Sequence, residues 1–298
     1  MTADTVSLNS DAADEVFQDE GTTLEKAPTS WAALGRALRS DRFALAGLVI
    51  YAFFLLIALI APLVAPFDPQ EVVKEGTKWL SNQPPSARFL LGTTNMGRDI
   101  FSQLVFGTRP ALLVGFSAAL MVAAIGTIVG LIAGYFGGVT DSLLMRLADV
   151  AFSIPFLPFV IVLAAFLKPS LWNIVLAMAL LFWCNTARVI RSQVMVVKER
   201  DFVEAARVAG ASPWRILFVY VAPNVLPLSF LYGSLAMGWA ILTEASVSFL
   251  GFSDPDILSW GYMLQDAYQA QAMSRGAWAW IIPPGICIML MVMAGFFI

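Results

Sequence analysis

The sequence has 298 residues, of which 59% are hydrophobic and 13% are charged, and its mean hydropathy is +0.76. An apolar fraction well above the roughly 45–50% of ordinary soluble domains excludes most soluble enzymes. The net charge of −3 and the absence of histidine exclude a basic nucleic-acid-binding surface and histidine-based catalysis or metal ligation.

The chain begins with an acidic segment. Residues 1–28 contain seven acidic side chains and one lysine, the opposite of the basic start of a signal peptide. Residues 1–29 are therefore predicted to form a disordered cytoplasmic tail. Ser30 can cap a short helix over residues 30–42 whose apolar side chains, such as Trp31, lie opposite Arg36 and Arg39. This pattern predicts an interfacial elbow helix on the membrane surface.

Six segments with few or no charges are each long enough to cross about 30 Å of hydrocarbon as a helix. They are Phe43–Val64, Ala111–Phe136, Val150–Leu167, Leu171–Ala187, Val225–Thr243 and Ala277–Ile298. The sequence thus predicts an all-α, polytopic membrane protein with six transmembrane helices in one transmembrane domain over residues 43–298. Pro155 and Pro158 predict a bend in the third segment. A re-entrant pair is the alternative for the third and fourth segments, which only Lys168, Pro169 and Ser170 separate.

The basic residues predict the orientation of these helices. With the N-terminus inside, 11 of the 18 Lys and Arg residues fall in cytoplasmic segments, as the positive-inside rule favours. Both termini are then cytoplasmic. In the second segment, Gly126, Gly130 and Gly134 recur every four residues and form a flat helix face. We expect this face to pack within one helix bundle, although a dimer contact is the alternative.

A polar but regular segment lies between the fourth and fifth apolar segments. Phe202–Ala209 favours a helix, Gly210 is a typical C-terminal stop, and Ser212 and Pro213 can cap and start a second helix. Two short helices joined at a glycine bend can dock into a groove on a soluble partner. A surface hairpin without a partner is the alternative on spacing alone.

The same segment resembles a known motif. Glu204, Ala205, Ala206 and Gly210, followed by Pro223, resemble the cytoplasmic EAA loop of permease subunits of ATP-binding-cassette importers. The string EAARVAGASPWRILFVYVAPNVLP is similar to the dipeptide, oligopeptide and nickel permease branch. Further similar blocks are LGTTNMGRDIFSQLVFGTRPALLVG, AGYFGGVTDSLLMRLADVAFSIP, EASVSFLGF and SWGYML. Family members usually continue past the sixth helix into a cytoplasmic tail, so we expect the end at Ile298 to be a truncation.

The resemblance implies a function. The chain would be one membrane subunit of an importer, coupled to ATPase subunits through a coupling helix at about residues 202–220. The implied coupling residues are Glu204, Ala205, Ala206, Gly210, Ser212, Pro213 and Arg215. The implied partners are a homologous permease, nucleotide-binding ATPase subunits and an extracytoplasmic substrate-binding protein, in the cell (inner) membrane. Peptides are the expected substrate, with nickel and oligosaccharides left open.

The sequence lacks the phosphate-binding motif that ATP hydrolysis by this chain would need. It contains no Gly-Lys pair, so a phosphate-binding loop of the G-x-x-x-x-G-K-[ST] type is absent. No cofactor is expected on this chain, and ATP and magnesium are expected on partner subunits. A stand-alone secondary transporter or channel, driven by an ion gradient, is the rival hypothesis.

Charged residues near the predicted membrane boundary are further candidates. Glu244 ends the fifth apolar segment and Ser248 follows one turn later, so both are predicted to line the translocation path or to serve as structural polar groups. An interfacial glutamate that caps a helix turn is the alternative for Glu244. Asp141, Arg146 and Asp149 are spaced to pair along one helix and to act as a topological anchor.

Overall fold

The computed structural model describes residues 41–167, 169–252, 254 and 256–298. The predicted acidic tail and all but the last two residues of the predicted elbow helix lie outside these residues. The chain from Phe43 to Ile298 forms one compact unit. Its helices and strands are α1 Arg42–Val64, β1 Lys74–Glu75, β2 Lys78–Trp79, α2 Ile100–Phe106, α3 Thr108–Phe136, α4 Gly138–Ser153, α5 Phe156–Phe166, α6 Leu171–Val197, α7 Asp201–Val208, α8 Pro213–Arg215, a π-helical turn Ile216–Val221, α9 Ala222–Phe249, α10 Trp260–Gln269 and α11 Trp278–Phe297.

The described residues confirm an all-α membrane protein with five or six candidate spans. Five helical segments are long and apolar enough to cross a membrane on their own. The third predicted span, Val150–Leu167, contains the predicted bend: the chain turns by 79° between α4 and α5, and this bent pair is either a sixth, broken span or a re-entrant loop. Ile154 and Pro155 are extended at the break, and Pro155 precedes the first residue of α5. Pro158 lies in the first turn of α5, where its missing N–H costs no hydrogen bond.

The glycine face of α3 packs against α6. A Cβ atom added at Gly126, Gly130 or Gly134 would lie 2.5–2.8 Å from atoms of Thr186, Ala187 or Arg191. The two backbones therefore approach more closely than any side chain would allow. This contact confirms the prediction that the glycine face packs within the bundle.

The remaining long helices extend the bundle from α3, each packing on the one before it. Gly115 of α3 contacts Ile241 of α9, and Gly238 of α9 lies against Val292 of α11. Gly47 of α1 contacts the carbonyl of Ala294 in α11. Small residues at crossing points thus set the helix order in the bundle.

The helices give the bundle two distinct ends. One end, here called the loop end, carries α7 and the segment up to the start of α9. The opposite end, here called the hairpin end, carries residues 65–107, 250–252, 254 and 256–277, including the antiparallel pair β1 and β2. A hydrogen bond of 2.9 Å from Arg275 Nη1 to Asn82 Oδ1 joins these two segments, and the Trp260 indole N–H donates to the Leu104 carbonyl at 2.9 Å.

Candidate functional site

The helix α7 is fixed to the bundle by one apolar side. Val203 and Ala206 are buried in a cluster that includes Val194 and Val197 of α6 and Leu217 of the π-helical turn. Glu204, Ala205 and Val208 lie on the exposed side, and Val208 is 82% exposed. The sequence predicted this helix correctly, and its amphipathic character keeps one face against the bundle and the other free.

A glycine ends α7, as predicted. Gly210 has φ of +80°, its N–H donates to the Arg207 carbonyl, and the N–H of Ala211 donates to the Ala206 carbonyl. This paired arrangement is a Schellman motif, which needs a left-handed residue at the position of Gly210. An added Cβ at Gly210 would meet no atom within 4 Å, so the glycine serves the backbone turn rather than close packing.

The second helix of the loop begins at the predicted cap but does not end where the sequence suggested. The Ser212 hydroxyl accepts a hydrogen bond of 3.3 Å from the Arg215 N–H, and Pro213 occupies the first helical position. The helical segment then continues without a break through the π-helical turn and α9 to Phe249. The predicted two short helices are therefore one short helix and the start of a long one.

The π-helical turn explains this continuity. Pro223 has no N–H and its ring crowds the preceding turn, which disfavours an α-helical junction at that point. The N–H of Ala222 instead bonds to the carbonyl of Leu217, five residues back. One wider turn thus carries the helix past the proline, and π-helical turns of this kind are frequent at functional sites.

Two adjacent alanines of the loop have different roles. Ala205 is exposed, whereas Ala206 is buried in the cluster beneath α7. Of the two implied coupling alanines, Ala206 thus packs α7 on its own bundle, and Ala205 is the one on the outer side. Glu204 forms an exposed ion pair with Arg207 at 2.6 Å, so it already has a partner within α7.

Exposed aromatic residues extend the loop surface beyond α7. Trp214 stacks on Phe218, with ring centroids 5.9 Å apart, and contacts Phe136 at the end of α3 edge to face. Trp214 and Phe218 are each 54% exposed. Together with Ala205 and Val208, these side chains form what we call the loop surface. Exposed apolar groups beside a few charges are typical of a docking site for another protein.

Ion pairs hold the helices behind the loop surface. Arg191 of α6 makes two hydrogen bonds to Asp141 of α4, at 2.5 and 2.6 Å, and Arg188 pairs with Asp149 at 2.8 Å. The Lys198 ammonium donates to the carbonyl of Gly134 at 3.1 Å. The predicted pairing of Asp141, Arg146 and Asp149 along one helix is therefore wrong, because both acids pair with arginines of a neighbouring helix.

Glu244 and Ser248, the predicted path or structural polar residues, lie at the hairpin end. Both side chains are buried, and the Ser248 hydroxyl donates a hydrogen bond to Glu244. The hydroxyl of Ser259, which caps α10, also hydrogen-bonds to Glu244. The carboxylate thus joins α9 to α10 inside the chain rather than capping an exposed turn. Among the described residues, no group of three or more His, Cys, Asp or Glu side chains could hold a metal ion.

Sequence reasoning missed a groove between α6 and α9. A cavity of about 240 Å³ is lined by Val122, Phe182, Asn185, Thr186, Tyr232, Leu235, Ala236 and Trp239. Asn185 is exposed and lies near the middle of α6. An amide within the apolar segment Leu171–Ala187 was the available signal, because polar groups inside membrane spans are rare and functional.

The comparisons with known proteins agree with the fold. Residues 126–298 match the family described as binding-protein-dependent transport system inner membrane component, and residues 29–85 match the N-terminal transmembrane domain of oligopeptide transport permease C. The chain is 37% identical over 261 residues to the dipeptide transport system permease protein DppC of Haemophilus influenzae, covering 86% of this chain and 87% of that protein.

A further relative agrees in sequence, and a solved structure agrees in fold. The chain is 35% identical over 267 residues to the oligopeptide transport system permease protein OppC of Bacillus subtilis, covering 89% of this chain and 85% of that protein. In fold, it is similar to a chain of the MetNI methionine ABC transporter in an inward-facing conformation. That similarity has a TM-score of 0.52 at 17% identity and covers 65% of this chain and 90% of the other.

Proposed function

The chain belongs to the family of binding-protein-dependent transport system inner membrane components, and on this premise we propose that it is a permease subunit of an ATP-driven peptide importer. The two relatives described above are named as dipeptide and oligopeptide permeases and match most of the chain. The chain would form half of the translocation path. A homologous permease would form the other half.

The loop surface is the observation that supports coupling to an ATPase. The inward side of α7 is packed on α3, α6 and the π-helical turn, while its outward side presents Ala205 and Val208. A force on the outward side therefore passes into the long helices through buried contacts. Trp214 and Phe218 would add apolar area to the contact. Glu204 and Arg207 would form its charged rim.

The proposal assigns the remaining parts of the importer to other chains. ATP and magnesium would bind to separate ATPase subunits at the loop end, which would face the cytoplasm together with the N-terminus. An extracytoplasmic binding protein would deliver substrate at the hairpin end. The chain itself would contribute shape and polar contacts rather than a chemical step.

Co-purification with the ATPase subunits tests the coupling. Val208→Glu places a carboxylate in the middle of the loop surface, and a charge desolvated without a partner weakens an interface strongly. We expect this variant to lose most of its bound ATPase while the two permeases stay together. Met273→Glu is the control, because Met273 is 60% exposed at the hairpin end. Normal ATPase binding by Val208→Glu would contradict the proposal.

A further inference from the structure

We propose that the groove between α6 and α9 holds the peptide during translocation, and that the Asn185 amide and the Tyr232 hydroxyl hydrogen-bond to the peptide backbone. This inference rests on the proposed function and deepens it. It assigns two substrate-contacting residues to the translocation path, and it makes hydrogen bonding to the peptide backbone the basis of substrate recognition there.

The position of Asn185 requires a polar neighbour. Asn185 lies within the apolar part of α6, one turn before Arg188, and Tyr232 lies within the continuous helical segment Pro213–Phe249. Within the described part of the chain, neither the amide of Asn185 nor the hydroxyl of Tyr232 has a hydrogen-bond partner. A polar group within a membrane span is costly when it faces lipid, so such residues face a cavity or another polar group.

The chemistry of the groove matches a peptide backbone. An asparagine amide both donates and accepts, as does a tyrosine hydroxyl. Every peptide unit other than one at proline offers one N–H donor and one C=O acceptor. None of the residues that line the groove is charged. Contacts of this kind hold the backbone but do not select among acidic, basic and neutral side chains.

The aromatic walls complete the site. Phe182 of α6 and Trp239 of α9 lie on the two sides of the groove, and Trp239 is 53% exposed. Aromatic faces offer apolar area to a range of peptide side chains with little loss of conformational freedom. The cavity volume of about 240 Å³ is slightly below the range of roughly 300–1,000 Å³ for complete small-molecule sites. A second subunit facing the groove would complete the enclosure.

The walls of the groove are rigid because glycines bring their helices together. Gly126 of α3 lies directly against Thr186, the neighbour of Asn185 in the chain. Gly233 of α9, next to Tyr232, faces Ala123 of α3, 3.4 Å from where a Cβ of Gly233 would lie. The two helices that carry the polar groups, α6 and α9, are thus both packed against α3, which keeps the spacing of Asn185 and Tyr232 constant.

Uptake by the reconstituted complex tests the inference. The substrates are a neutral tripeptide and two analogues, each methylated at one of its two peptide nitrogens, which removes a single donor. We expect Asn185→Ala to slow uptake of the unmodified tripeptide by roughly threefold to tenfold, the usual contribution of one or two hydrogen bonds. Uptake of the analogue that lacks the donor to Asn185 should change little, so the ratio of uptake rates between the unmodified tripeptide and that analogue narrows. Tyr232→Phe should narrow the corresponding ratio for the other analogue.

Matched controls separate the possible outcomes. Leu176→Ala alters an exposed residue of α6 that lies about two and a half turns before Asn185, on the opposite face of the helix, and it should leave the ratio unchanged. The substrate-binding protein is the same in every assay, so its own preference between the substrates affects the uptake ratio of every variant equally. An unchanged ratio in Asn185→Ala and Tyr232→Phe, or loss of the second permease from Asn185→Ala, would overturn the inference alone. A wild-type complex that takes up no tripeptide would overturn the proposed function and this inference with it.

Discussion

The hydroxyl of Ser248 donates a 2.6 Å hydrogen bond to Oε1 of Glu244, and both side chains are fully enclosed by the chain. Ser259 adds a second hydroxyl to the same carboxyl group from the first turn of α10. Gly261 makes this approach possible, because a Cβ there would lie 2.4 Å from the carbonyl of Ala245. One polar cluster therefore attaches α10 to the end of α9.

The first prediction concerns this cluster. Glu244→Leu leaves the two serine hydroxyls without their acceptor, which should cost about 1–3 kcal/mol in the free energy of unfolding. Glu244→Gln keeps the side-chain shape and a carbonyl acceptor, and it should be tolerated. The thermal unfolding temperature of the purified complex is the measurement. If Gln lowers transport while leaving stability and assembly normal, Glu244 acts in the path and not as an anchor.

The second prediction concerns the end of α7. Gly210→Val forces a β-branched residue into the left-handed region, at a cost of about 1–2 kcal/mol, while Gly210→Asn should be accepted because asparagine tolerates that conformation. Gly276→Val is the matched control, since Gly276 has φ of +70° and open space around it at the hairpin end. Both valine variants should lose stability, but only Gly210→Val should reduce substrate-stimulated ATP hydrolysis. Equal ATPase stimulation in the two would show that the turn has no part in coupling.

The third prediction concerns the crossing of α3 and α6. Gly130→Ala would place a methyl group 2.7 Å from the carbonyl of Ala187, and backbone cannot yield as a flexible side chain can. We expect a loss of about 1–3 kcal/mol, the usual cost of overpacking. Gly285→Ala in α11 meets nothing within 4 Å and should be neutral or slightly stabilising. The measurement is the thermal unfolding temperature of the two variants. Equal unfolding temperatures would show that stability does not depend on the close crossing of α3 and α6.

The fourth prediction concerns Asp266 in α10, outside the membrane-spanning segments. Burial raises the pKa of this carboxyl group, and the positive charge of Arg98 offsets part of the rise. Because the folded state holds the proton more tightly than the unfolded state, stability should increase as pH falls through the raised pKa toward the ordinary range of an aspartic acid. Asp266→Asn should flatten this dependence in unfolding measured between roughly pH 4 and pH 7. The exposed Asp256→Asn is the control, and an unchanged slope in Asp266→Asn would contradict the assignment.

The apolar spans were predictable because lipid imposes a local rule. The first predicted span, Phe43–Val64, and the helix Arg42–Val64 differ by one residue, and the last span agrees as closely. The fourth was predicted to stop at Ala187, yet α6 continues to Val197. Its extension carries Arg188 and Arg191, which pair with acids of α4. Local composition does not predict such ion pairs, because their partners lie far apart in the sequence.

The loop was predictable in outline for a related reason. A helix, a glycine stop and a serine cap are local signals, and all three are present in the structure. The burial of Ala206 and the exposure of Ala205 were not predictable. The two residues are identical neighbours, and only the tertiary packing decides which of them faces the bundle. The groove at Asn185 was also missed, since its other wall comes from a helix about 50 residues further along the chain.

The helical segment from Pro213 to Phe249 is longer than a membrane span requires. Its 37 residues at about 1.5 Å each give a length of roughly 55 Å, well beyond the hydrocarbon thickness of about 30 Å. A tilt of about 5° around one end would therefore move the other end by roughly 5 Å, on the scale of one helical turn. In the proposed importer, a small displacement at α7 would thus be enlarged along this segment toward Glu244 and α10.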